Sequence, residues 1–249
     1  MMKIFSLLVI VLLTTPNYGQ VSIAPTMGLT YSSRTGWYNG NEASPEQNNK
    51  FILGFTGGVA VNIELSKMIS LQTEFLWIQK GMITASMYPF FIDFGQNFKG
   101  GDLKIIYNFL EIPLLIKFSF GNDIKYFVET GPYVSYAING KYKYEPYSYF
   151  DGTESSGKIN FEEFTFENIQ DGRPHDPKYF NQLDVGIYIG GGIGKKVGPG
   201  TLLIDLRYGF GFIDYYKIEN FRYVPEGYRP FYNRNFNLTF AYFISLGKK

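Results

Sequence analysis

The sequence contains no cysteine and a single histidine among 249 residues. Without cysteine there is no disulfide framework, no thiol nucleophile and no thiolate metal site. One histidine rules out a metal site built from several imidazoles. Charged residues are sparse, at 18%, and balanced, with 23 Lys+Arg against 22 Asp+Glu. A formal charge of +1 gives no electrostatic case for nucleic acid. Beyond the first residues, no stretch offers the roughly eighteen uncharged apolar residues of a transmembrane helix. No long segment repeats apolar residues at helical spacing either. What is abundant is aromatic: 21 Tyr, 24 Phe and 2 Trp. With 45% apolar residues, this composition excludes disorder. The mean hydropathy of −0.10 matches an ordinary soluble protein, but it averages over positions.

Residues 1–19 have the form of a secretory signal peptide. Lys3 supplies the positive start and Ile4 to Leu13 the apolar core, and Gly19 is the small residue before cleavage. That core is too short to span a bilayer comfortably. An uncleaved N-terminal anchor helix is the alternative. No cysteine follows it, so there is no lipoprotein attachment point. The mature chain then begins at Gln20, and residues 20–249 form one domain.

In that domain the recurring pattern is alternation, the period of a strand with two different faces. Phe236, Leu238, Phe240, Tyr242, Ile244 and Leu246 alternate with Asn237, Thr239, Ala241, Phe243 and Ser245. Leu110, Ile112, Leu114, Ile116 and Phe118 alternate with Glu111, Pro113, Leu115 and Lys117. Eight strands are expected, over about 21–33, 51–65, 68–84, 103–120, 124–141, 182–197, 201–215 and 235–247. Tight turns at 66–67, 121–123 and 198–200 alternate with long loops at 34–50, 85–102, 142–181 and 216–234. The fold class is therefore all-β: an eight-stranded antiparallel up-and-down transmembrane β-barrel, with short turns at one end and long loops at the other.

One face of each strand is large and apolar, and the other is small or polar. A lumen eight strands wide holds only side chains, so the bulky face points outward to lipid. Glu74, Glu111, Lys117, Lys125, Glu129, Asp184, Asp205 and Arg207 fall on the inward face. Buried charges persist when paired, so a lumen charge network is expected among Glu74, Glu111, Lys117, Glu129, Asp205 and Arg207. Arg207 should bond one or more of Glu74, Glu111 and Glu129.

Leu110-Glu111-Ile112-Pro113-Leu114-Leu115-Ile116-Lys117-Phe118 resembles a strand of the PorT-like, porin-family outer-membrane β-barrel domains. Tyr126-Phe127-Val128-Glu129-Thr130-Gly131-Pro132-Tyr133, after a short turn, is similar to that family's next strand. The glycine-rich run from Val185 to Gly194 and the run from Leu206 to Gly211 resemble it too. The resemblance implies an eight-stranded barrel in the outer membrane of a Gram-negative envelope. It also implies a family whose members mostly lack an assigned role. The ending Leu246-Gly247-Lys248-Lys249 departs from the terminal aromatic common in such barrels.

Catalytic equipment is scarce. His175 sits in a turn-like run, Asp171-Gly172-Arg173-Pro174-His175-Asp176-Pro177, with no serine nearby. It reads as a solvated loop residue, and no enzymatic activity is expected. Gly190-Gly191-Gly192 lies within a strand rather than before a helix, so it is not a phosphate loop. The acidic residues lack EF-hand spacing, and neither metal nor cofactor is expected. The loop at 142–181 has four basic against eight acidic residues, and that at 216–234 has four against two. These loops either cap the barrel or form a binding surface. The leading expectation is a monomeric barrel with a closed polar lumen and a structural or surface-binding role. Its partners are outer-membrane lipid and a surface or periplasmic protein met through loops. The alternatives are a narrow channel for small solutes, a secretion-associated outer-membrane component, an enzyme at the rim, or a soluble carrier of the lipocalin type.

Overall fold

The computed structural model describes residues 20–37, 49–86, 101–146, 154–161, 180–220 and 228–246. The segment 1–19, read as a signal peptide, lies outside them. Nine strands follow in chain order: β1 (Val21–Trp37), β2 (Ile52–Glu64), β3 (Ile69–Ser86), β4 (Gly101–Phe120), β5 (Ile124–Pro146), β6 (Ser155–Asn160), β7 (Leu183–Val197), β8 (Gly200–Gly211) and β9 (Arg229–Ser245).

Eight of them close a ring. The neighbour order β4-β3-β2-β1-β9-β8-β7-β5 is completed by antiparallel β4–β5 pairing. Each turn-linked strand pairs with its sequence neighbour, so this is the expected up-and-down barrel. Gly121 (φ 96°) and Gly198 (φ 59°) occupy two of the short turns, in a backbone region closed to most side chains.

The outward face is apolar. Leu53, Ile112, Val128 and Leu206 are 52–56% exposed, the reverse of a soluble barrel. Phe120, Tyr126 and Tyr242 ring its short-turn end, and Tyr31, Tyr136, Phe210 and Phe236 its long-loop end. These are the positions of interfacial girdles.

Four strand ends differ from expectation. β1 continues to Trp37, β5 to Pro146, and β9 starts at Arg229. Conversely, β8 stops at Gly211, because the chain then turns inward and buries Tyr215. The segment 142–181 is thus not all loop. Its first residues extend β5, and Ser155–Asn160 pair back onto β5 at Asn139 to Tyr144.

β5 exchanges partners as it rises. It pairs with β7 up to Tyr136 and with β6 from Asn139. Between them the register against β4 shifts by one residue. This bulge reverses which parity faces inward: Tyr133, Ser135 and Ala137 are buried below it, Tyr142 and Tyr144 above. The interior is also less uniformly small and polar than expected. Ile78, Met82, Ile105, Tyr107, Phe109, Phe180, Tyr215 and Phe231 pack together at the long-loop end.

Candidate functional site

The lumen is filled by three tiers of side chains. The lower tier centres on Arg207, buried on β8. Its Nη1 and Nη2 donate to Glu74 Oε2 and Oε1 at 3.1 and 2.9 Å, a bidentate fork. Its Nε lies 3.1 Å from Glu129 Oε1 and also contacts Asp205, in ion-pair range without hydrogen-bond alignment. Lys117 stands opposite Glu129 across β4 and β5, and their charges meet at 3.0 Å. Gln72 donates its amide to Glu74. Gly190 pairs with Arg207 on the next strand, and a Cβ there would lie 2.8 Å from Arg207 Cγ. The glycine leaves room for the backbone and the aliphatic base of the Arg207 side chain on the next strand.

The middle tier centres on Lys80. Its ammonium pairs with Glu111 at 2.6 Å and with Asp184 at 3.0 Å. It also donates to Ser135 Oγ at 3.1 Å and lies 4.4 Å from the Tyr133 ring centre. Tyr188 donates to Glu111 at 2.7 Å, and Tyr133 donates to Asp184 at 3.2 Å. Asn235 and Asn237 donate in turn to the Tyr188 hydroxyl.

The upper tier is aromatic. The Arg34 guanidinium lies 3.5 Å from the Tyr215 ring centre and 5.1 Å from that of Tyr107. Its Nε donates to Asn233 Oδ1 at 3.0 Å, and it pairs with no described carboxylate. Tyr107 and Tyr215 share a hydrogen bond between their hydroxyls. Asp214 holds the inward-turned segment in place, accepting from Tyr228 Oη at 2.7 Å and from the backbone N–H of Phe231 at 3.0 Å. Burial pushes the phenols of Tyr215 and Tyr216 well above the ordinary tyrosine range. Burial, then the bond to Asp214, does the same for Tyr228.

Two cavities among the described residues flank these tiers. One of about 110 Å³ opens at the short-turn end beneath Lys117, bordered by Lys67, Lys125, Gln72 and Ser119. The other, about 10 Å³ beside Arg34, is the size of one water molecule.

Of the residues expected in a network, the structure brings Glu74, Lys117, Glu129, Asp205 and Arg207 into one tier. Glu111 belongs to a separate tier and does not touch Arg207, because the carboxylate pairs with Lys80 instead. Asp184 joins Glu111 there, and Lys125 is exposed at the short-turn end. Sequence reasoning missed Lys80 and Arg34. Lys80 shares the parity of Glu74 on the same strand, which was signal enough. Arg34 continues the inward parity of Thr30 and Ser32, one residue beyond the expected end of the first strand at 33. His175 lies outside the described residues, as does most of the loop charge. Among the described residues the outer end is capped by aromatic packing.

Among the described residues the buried charges comprise four cations and five carboxylates. They neutralise one another in a low dielectric.

Residues 15–217 match the family model of the outer membrane protein beta-barrel domain. No curated protein matches the chain. Among solved structures, Ail, the attachment invasion locus protein of Yersinia pestis, is 12% identical with a TM-score of 0.40, covering 90% of this chain and 99% of its own. OprG from Pseudomonas aeruginosa is 9% identical with a TM-score of 0.43, covering 91% and 97%. The outer membrane protease OmpT from Escherichia coli is 11% identical with a TM-score of 0.37, covering 93% and 98%.

Proposed function

Because the chain belongs to the outer membrane protein beta-barrel domain family, we propose that it is an integral barrel with a sealed lumen whose role lies in surface binding at its long-loop end. The observation that carries this reading is the filling of the lumen by Arg207, Lys80 and Arg34 with their partners, one tier above another. A solute path would need all three tiers to part. The structure at the outer end supports the same reading: β4, β5 and β6 rise beyond the apolar belt, and the longest loop springs from them.

In this proposal the barrel is monomeric, has no catalytic activity, and meets a surface protein through residues 162–179. The mature chain starts at Gln20, directly before β1, which fits removal of residues 1–19. The finer PorT-like assignment rests on the motif Leu110 to Phe118.

Two measurements test the proposal. The refolded barrel in a planar bilayer should give no lasting open state, and steady conductance would favour the channel reading. Cross-linking on intact cells should yield a defined adduct that disappears when residues 162–178 are deleted. Loss of a hydrolytic activity in His175→Ala would instead establish a rim enzyme.

A further inference from the structure

The outward face of β3, β4 and β5 changes character at one row. Below it lie Trp77, Leu110 and Ile138, all facing lipid. The row itself is a chain of amides: Gln79 Nε2 donates to Asn108 Oδ1 at 3.1 Å, and Asn108 Nδ2 donates to Asn139 Oδ1. Above it the face carries four lysines, with Glu145 and Asp102 at its upper edge and Ile106 beside Lys141. Lys104 stands opposite Lys143, and Lys141 stands opposite Lys158 across β5 and β6.

Like charges directly opposite each other on neighbouring strands are destabilising. The upper pair is relieved from within, since Glu145 contacts Lys104 at 3.0 Å and Lys143 at 2.7 Å. The lower pair has no such relief. Lys141 and Lys158 are exposed, and neither meets a described carboxylate. An anion from outside the chain would supply what the fold does not. The pair stands one same-face step, about 7 Å, above the amide row. In an outer-membrane barrel, the first polar residues beyond the apolar belt meet the lipid headgroups. The amides below offer donors and acceptors suited to sugar hydroxyls, and the ammonium groups above suit a phosphate.

We propose that Lys141 and Lys158, with the row Gln79, Asn108 and Asn139, bind the headgroup of a phosphorylated glycolipid of the outer leaflet. The site faces sideways into the leaflet and is separate from the loops that the functional proposal invokes.

The test is thermal unfolding of the refolded barrel in neutral detergent, read by heat-modifiable migration, as a phosphorylated glycolipid is added. The wild type should gain stability, with the enzymatically dephosphorylated glycolipid giving little. In the double variant Lys141→Ser/Lys158→Ser, roughly tenfold more lipid should be needed for the same gain. Without lipid that variant should be as stable as the wild type or more so, because the like-charge pair is gone. The control Lys195→Ser/Lys196→Ser, at the opposite end, should respond like the wild type. An equal lipid response in wild type and double variant would overturn the proposal, as would no response in the wild type or a full response to the dephosphorylated lipid.

Discussion

Two buried arginines in one barrel are held by different physics, and their substitutions should separate the two cases. Arg207 is surrounded by Glu74, Glu129 and Asp205. Arg207→Met leaves three carboxylates facing one another with only Lys117 to offset them. Breaking a buried ion pair from one side costs about 3–5 kcal/mol. Urea unfolding of Arg207→Met in micelles should show a loss of that order, and adding Glu74→Gln should restore part of it. A loss under about 1 kcal/mol would mean that the tier contributes little to stability. Arg34 has no described carboxylate partner, only the faces of Tyr215 and Tyr107 and the Asn233 amide. Arg34→Met trades cation–π attraction for relief from burying a charge, so its cost should stay below about 2 kcal/mol. If Arg34→Met proved as damaging as Arg207→Met, an anionic partner for Arg34 would be indicated.

At the scale of elements, the segment after β8 acts as a cap because Asp214 fixes it. That carboxylate accepts from Tyr228 and from the backbone of Phe231 and Tyr216, which places Tyr215 over Arg34. Asp214→Ala should free the segment and raise protease cleavage near 212–228 without unfolding the barrel. Unchanged cleavage would show that ring packing alone holds the cap. The cap should also respond to alkali. The folded state holds the protons of Tyr215, Tyr216 and Tyr228 above the ordinary tyrosine value. Its contribution is therefore complete below about pH 10 and is lost as pH rises through the folded values. Tyrosinate absorbance from these three should rise above the ordinary tyrosine range, and at lower pH in Asp214→Ala. This element was invisible in the sequence. Phe212 extends the outward alternation of β8, so the pattern alone predicts a strand to 215; the inward turn depends on Asp214 meeting Tyr228, just before β9, and Phe231 within it, a contact between distant segments. The strands themselves were legible because each has one face in lipid, a condition that forces period two along its whole length. The tier around Arg207 was legible because parity places charges inward. The division between Arg207 and Lys80 was not, because it depends on height along the barrel, which follows from the stagger between strands rather than from parity.

For the whole molecule, the mean hydropathy of −0.10 results from two opposed surfaces: an apolar wall outside and a charged, hydrogen-bonded filling inside. That inversion predicts how the protein behaves as one body. The filling is arranged in series along the barrel axis, so opening one tier leaves the others closed. Loosening the cap by Asp214→Ala leaves Lys80 bound to Glu111 and Asp184, and Arg207 clamped on Glu74. Replacing Arg207 leaves the tier of Lys80, Tyr133 and Tyr188 intact. Single-tier variants that still fold, recognised by heat-modifiable migration, should therefore be as silent in planar bilayers as the wild type. Steady conductance from Asp214→Ala alone would place the barrier in the cap and return the lower tiers to a purely structural role. Silence in Asp214→Ala and in Arg207→Met, with both folded, is what a barrier distributed over three tiers requires.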